Sequence, residues 1–195
     1  MILPVYIYGQ PVLRKVAEPI DKDYPGLDEL IQNMKDTMYD SDGIGIAAPQ
    51  VGVSARVVYI DVDALSEKFP ELKDKRMVLI NPEITVDETS PTETREEGCL
   101  SVPGIHENVT RHTKIHIHYF DENWQEHDED IDTYLARVIQ HECDHLEGHV
   151  FIDHISAIRK QMIRNKLNNM IKGKVDCDYR VKVYKPARRR EEAKC

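Results

Sequence analysis

A chain of 195 residues with 41% hydrophobic content is long enough to bury one core and does not call for a second domain. Its formal net charge of -9 excludes a protein whose whole surface grips nucleic acid or an anionic membrane, so neither DNA nor a membrane is an expected partner. No apolar run reaches the roughly 20 residues of a membrane span, and the start lacks the basic and long apolar regions of a secretory leader. The four cysteines, Cys99, Cys143, Cys177 and Cys195, form no CxxC pair, so reduced thiols and a cytoplasmic location are expected.

In chain order, residues 1–20 read as an extended arm with turn signals at Gly9-Gln10-Pro11 and Glu18-Pro19. Leu27, Leu30, Ile31, Met34 and Met38 recur at three- and four-residue spacing, which predicts a helix with one buried stripe. The next stretch, Gly43-Ile44-Gly45-Ile46-Ala47-Ala48-Pro49-Gln50-Val51-Gly52, lacks the third glycine or the Lys-Ser/Thr of a phosphate loop. Its small residues suit a backbone that something else approaches closely. Gln50 is either a structural hydrogen-bonder or a donor aimed at a substrate carbonyl.

Residues 56–60 and 77–80 are β-branched and apolar and predict two strands, separated by a charged surface excursion over 61–76. Asn81-Pro82 marks an edge or turn, and residues 85–95 are polar enough to be a connection. Across residues 108–120, His112, Lys114, His116 and His118 alternate with Ile115, Ile117 and Tyr119, which predicts a strand with one solvated face rather than a histidine metal site. A turn at Asp121-Glu122-Asn123 and a strand to Ile131 complete a hairpin. Asp132 is the expected cap of the following helix, and Gly148 its end. Ser156 opens a last helix, with Ile158, Met162, Ile163, Leu167, Met170 and Ile171 on its apolar side and Gly173 closing it. Residues 174–195 read as a polar, mobile tail carrying the basic cluster Lys185-Pro186-Ala187-Arg188-Arg189-Arg190.

The helix after Asp132 carries His141-Glu142-Cys143-Asp144-His145. Residues four apart share a helix face, so His141 and His145 can offer two imidazoles to one metal ion, with Glu142 one step round. Such a site needs a third protein ligand. Downstream, Phe151 stands where a metzincin would place its last histidine, and no glutamate lies between Glu147 and Glu191. Upstream, Glu96-Glu97-Gly98-Cys99-Leu100-Ser101 supplies a thiol beside a glycine between two β regions, and Cys99 is the best third ligand. Cys143 lies about 200° round the helix from His141 and is expected in the core.

Taken together and in this order, the segments 43–52, 96–101 and 141–145 resemble the three signature motifs of the peptide deformylase family. The resemblance runs almost to Gly173; the departures are Ile46 where leucine is usual, the 61–76 excursion and the longer basic tail. It implies an α+β fold, with mixed or antiparallel sheets packed around a central metal-binding helix and a C-terminal helix. Residues 1–173 would be a single catalytic domain and 174–195 a tail. The implied activity is hydrolytic removal of the N-formyl group from the formyl-methionine of new polypeptides, releasing formate. Cys99, His141 and His145 would hold one Fe(2+), replaceable by Ni(2+), Co(2+) or Zn(2+), a choice that spacing cannot make.

Within that resemblance Glu142 would move the proton, and the backbone N–H of Leu100 and the amide of Gln50 would stabilise the oxyanion. Gly45 and Gly98 would let an extended peptide lie alongside, and Ile44, Glu97, Tyr134 and Val138 would wall the methionine pocket. Arg111 is expected to pair with Asp144 and orient His145. The implied partners are N-formylmethionyl nascent peptides, with a transient ribosome contact through the basic tail. A zinc endopeptidase would leave the two upstream motifs unexplained, and a non-enzymatic RNA binder would leave Glu142 idle.

Overall fold

The computed structural model describes residues 1–184. The fold is α+β. Its centre is a five-stranded antiparallel sheet formed by β2 (Gly45–Ala47), β3 (Val57–Asp61), β4 (Arg76–Val86), β7 (Ile115–Phe120) and β8 (Glu126–Ile131), in the order β2-β3-β4-β7-β8. A separate hairpin joins β5 (Thr92–Glu97) to β6 (Glu107–His112), and β1 (Val5–Tyr6) runs parallel to β9 (Val181–Lys182).

Strand β3 shows why the sheet sits where it does. All five of its residues are buried. Val58 and Ile60 pack with Leu135, Ala136, Ile139 and Leu146 of helix α2 (Tyr134–Leu146). Val57 and Tyr59, pointing the other way, pack with Leu30, Met34 and Met38 of helix α1 (Leu27–Asp40). An apolar run without alternation therefore marks a strand covered on both faces. Helix α3 (Ala157–Ile171) belongs to a third cluster, in which Ile163, Leu167 and Met170 meet Ile7, Val102, Val109 and Phe151.

Several sequence expectations need correction. Asn81-Pro82 does not end a strand: β4 continues to Val86 through a bulge between Ile80 and Glu83, with Asn81 at φ 51°. The Asn81 side chain offsets the irregularity by accepting from Ile20 N at 2.9 Å and donating to Ile20 O at 2.7 Å. The polar stretch 85–95 contains the end of β4 and the start of β5, since a hairpin with an exposed face needs few apolar residues. Residues 108–120 form two strands in different sheets, β6 and β7. The 61–76 excursion is anchored: Leu72 is fully buried and Phe69 stacks on Tyr134 with ring centres 4.5 Å apart.

The cap of α2 is Thr133, one residue beyond Asp132; its hydroxyl accepts from Leu135 N at 3.3 Å. On α3, Ile158 and Met162 are 75% and 65% exposed, so the packed face is narrower than its apolar residues suggested. Residues 174–184 are not a free tail. Val5 N donates to Arg180 O at 2.8 Å, Ile7 N to Lys182 O at 3.3 Å, and Gln10 Nε2 to Lys182 O at 3.0 Å, which fasten the segment to the N-terminal arm. The basic cluster 185–190 lies outside the described residues. Among the described residues no helix is long and apolar enough to cross a membrane.

Candidate active site

Helix α2 brings its two histidines to the site because both ends are fixed. Thr133 caps the start, and Gly148 follows the C-cap at φ +75°, where a Cβ would lie 2.9 Å from the Arg14 backbone. The turn between β5 and β6 then carries Cys99 over the helix. Donor atoms of Cys99, His141 and His145 all lie within 4.8 Å of one another, with Cys99 Sγ 3.3 Å from His145 Nε2. Metal–ligand bonds of about 2.0–2.3 Å in a tetrahedral site place donors roughly 3.4–3.7 Å apart, so one thiolate and two imidazoles here fit a divalent ion. His145 is fully buried and its Nδ1 has no hydrogen-bond partner among the described residues.

Glu142 lies beside this cluster with 4% exposure, and its Oε2 likewise has no partner among the described residues. Burial pushes its carboxyl up to about 7. Burial alone would raise the Cys99 thiol, but the neighbouring His145 charge and hydrogen bonds with His141 and His145 bring it down to about 5. Gly45 has a specific reason to be glycine: a Cβ there would come within 2.5 Å of Glu142 Oε1. The space it leaves is filled by the carboxylate itself. At Gly98 a Cβ would meet the His106 ring at 2.7 Å. Both glycines border the cleft, and both accommodate a side chain of this chain as well as any ligand.

Gln50 is 1% exposed and held at both ends of its amide. Its Oε1 accepts from Ala47 N at 2.8 Å, and its Nε2 donates to Ser101 Oγ at 3.2 Å and lies 3.5 Å from Cys99 Sγ. The structural and the functional readings of Gln50 thus meet in one side chain. A cleft of about 580 Å³ opens onto these groups, bordered by Ile44, Leu100, Tyr134 and Val138.

Two expected roles are extended. Glu97 borders the cleft as expected, but its carboxylate is also committed to partners inside the protein. Its oxygens accept from Arg111 Nε at 2.7 Å, Arg111 Nη2 at 2.9 Å and Arg137 Nη1 at 2.6 Å, and Oε2 lies 3.0 Å from His141 Nδ1. Burial opposes ionisation, but His141 and Arg111 outweigh it and hold Glu97 well below the usual carboxylate range. A carboxylate at Nδ1 favours the His141 tautomer whose Nε2 is free to act as a ligand. Arg111 does pair with Asp144, Nη1 to Oδ2 at 2.9 Å, and Asp144 also meets His154 Nε2 at 2.8 Å. The ion pair leads through Glu97 to His141 and does not reach the unpartnered Nδ1 of His145. The contacts end on the other histidine, His141.

The family model for polypeptide deformylase matches residues 2–161 of this chain. The chain is 48% identical to the peptide deformylase of Christiangramia forsetii over 191 residues, covering 93% of this chain and 96% of that one. It is 42% identical to the peptide deformylase of Salinibacter ruber, covering 92% and 93%. The crystal structure of a peptide deformylase from Legionella pneumophila superposes with a TM-score of 0.76 at 36% identity, covering 87% of this chain and 95% of that one. The chain belongs to the peptide deformylase family. It is accordingly a metal-dependent hydrolase that removes the N-formyl group from new polypeptides.

Reading the deformylase motifs alone misses three residues near the centre. Arg137, 5% exposed, stands one turn before His141 and donates to Glu97 and to Val109 O at 3.1 Å. Its place on the histidine stripe was the available signal, since a buried cation on that face requires a carboxylate. Ser101 donates its N–H to Cys99 Sγ at 3.4 Å and receives Gln50. Tyr179, from the segment taken for a tail, donates its hydroxyl to Leu100 O at 2.8 Å. Cys143 lies in the core as its helical angle requires, and burial raises its thiol.

Proposed function

We propose that Cys99, His141 and His145 hold one Fe(2+), which Ni(2+), Co(2+) or Zn(2+) can replace, and that the site deformylates N-formylmethionyl nascent peptides in the cytoplasm. The observation that carries the residue roles is the convergence of one sulfur and two imidazoles beside a buried carboxylate whose Oε2 has no hydrogen-bond partner among the described residues. A bound divalent ion would supply Lewis acidity, making the attacking water acidic near neutral pH and polarising the formyl carbonyl. Glu142, as the carboxylate, accepts the proton from that water. Its raised pKa suits the second half of the task, handing the proton to the departing amine nitrogen.

As water adds to the formyl carbon, negative charge grows on the carbonyl oxygen. Gln50 Nε2 and the Leu100 N–H are the donors that meet it, and fixing Gln50 through Ala47 N removes the cost of reorienting the amide during reaction. The C–N bond then breaks, giving formate and a free amino terminus. Ile44, Tyr134 and Val138 receive the methionine side chain, and the stacking of Phe69 on Tyr134 stiffens that wall.

The catalytic unit is residues 1–173 with the docked 174–184 segment, and the basic cluster 185–190 supplies a transient ribosome contact. Anaerobically purified protein should contain about one iron per chain and release formate from a formyl-Met peptide while leaving an unformylated peptide intact. A thiolate beside iron predicts loss of this activity in air. Glu142→Ala should keep the metal and lose turnover; cleavage of the unformylated peptide, or full activity in Glu142→Ala, would refute the assignment.

A further inference from the structure

The segment after α3 reaches back to the metal-ligand loop. It is held by parallel pairing of Val5 with Val181 and of Tyr6 with Lys182, and this places Tyr179 against Leu100. The Leu100 carbonyl and the Ser101 N–H belong to one peptide unit. Its oxygen accepts from the Tyr179 hydroxyl at 2.8 Å, while its N–H donates to Cys99 Sγ at 3.4 Å. On the next peptide, Ser101 O accepts from Tyr8 N at 2.8 Å. The loop that bears Cys99 and Leu100 is thus fastened by both chain ends.

Such a clasp has an electronic consequence. A hydrogen bond to a peptide oxygen polarises the unit and strengthens its N–H as a donor. An N–H directed at a thiolate sulfur draws electron density from it and tunes any metal it binds. We propose that Tyr179 is a positioning residue of the metal site, holding the Leu100–Ser101 peptide so that its N–H stays on the Cys99 sulfur and Leu100 keeps its place in the cleft. The inference rests on reading Cys99 as a metal ligand. It gives a task to residues beyond position 161, where the family match ends.

The test uses the full chain loaded with Co(2+), whose sulfur-to-metal charge-transfer band reports the sulfur directly. Tyr179→Phe removes the hydroxyl alone; Tyr184→Phe, an exposed tyrosine of the same segment, is the control. In Tyr179→Phe the band should move to lower energy, because a sulfur with a weaker hydrogen bond gives up electrons more readily. With a formyl-Met peptide, kcat should fall about two- to tenfold, the scale of one net hydrogen bond, with KM unchanged. Tyr184→Phe should match the wild type in both readouts. An unmoved band, or a loss confined to KM, would overturn the proposal and leave Tyr179 as a cleft wall. Should the wild type release no formate, the functional reading fails, while the band still decides the role of Tyr179.

Discussion

Two sets of ion pairs in this molecule use the same residue types to different ends. On β7 and β8, His116 meets Asp128 and Asp130, and His118 meets Glu126, all on a solvent-facing surface. At the centre, Glu97, Arg111 and Arg137 are each about 5% exposed and end on His141. Water can replace any member of the first set. It cannot replace a member of the second, where losing one partner strands charges in the interior. The comparison is broken most severely by Glu97→Ala, which leaves two buried guanidiniums without their shared carboxylate. Denaturant unfolding should show a loss on the order of 3–5 kcal/mol. Titration of the chain with metal should show affinity reduced roughly 10–100-fold, since His141 loses the acceptor on Nδ1.

Within the centre, small changes beside the reacting groups should cost activity more than stability. Gly45→Ala places a methyl against the Glu142 carboxylate at 2.5 Å, and displacement of a reacting group by about 1 Å lowers rates on the order of a hundredfold. The expected result is a kcat collapse of that size in a folded protein that still binds metal. Gln50→Ala should lower kcat by about a hundred- to a thousandfold, the usual effect of losing an oxyanion donor. Normal turnover by either variant would remove the corresponding residue from the reaction.

The contrast also explains what the sequence could disclose. The grouping of Cys99, His141 and His145 was legible because metal-ligand chemistry and helical spacing restrict where such residues can meet, and the sheet strands β3 and β7 because their burial imposes a readable pattern. The role of Glu97 was not legible. It depends on the Arg111 side chain reaching along the β5–β6 hairpin past its register partner Glu93 to Glu97, and on α2 lying over that hairpin; neither is written in local spacing. Strand β5, Thr-Glu-Thr-Arg-Glu-Glu, looks like a connection because only Glu97 in it is buried. Helix α3 carries apolar residues round much of its circumference, so composition could not choose Ile163, Leu167 and Met170 over the exposed Ile158 and Met162. The docking of residues 174–184 depends on two-residue strands too short to leave a pattern.

The smallest effect belongs to the solvated set, and its sign with pH is what distinguishes it. Hydrogen bonding to Asp130 raises the His116 pKa above its ordinary value of 6.5. A histidine stabilised in its charged form contributes fully when it is protonated in both folded and unfolded chains, that is, below about pH 6.5. The contribution fades as pH rises through the elevated folded-state value, where the imidazole gives up its proton and the pairs with Asp128 and Asp130 lose their charge. His116→Ala should therefore melt slightly below the wild type at pH 5.5, coincide with it at pH 9, and release formate at the wild-type rate. High salt should shrink the acidic difference, since exposed pairs are screened. A deficit that grew toward alkaline pH would mean that the neutral ring supports the sheet by packing, and the solvated face would then have to be counted with the core.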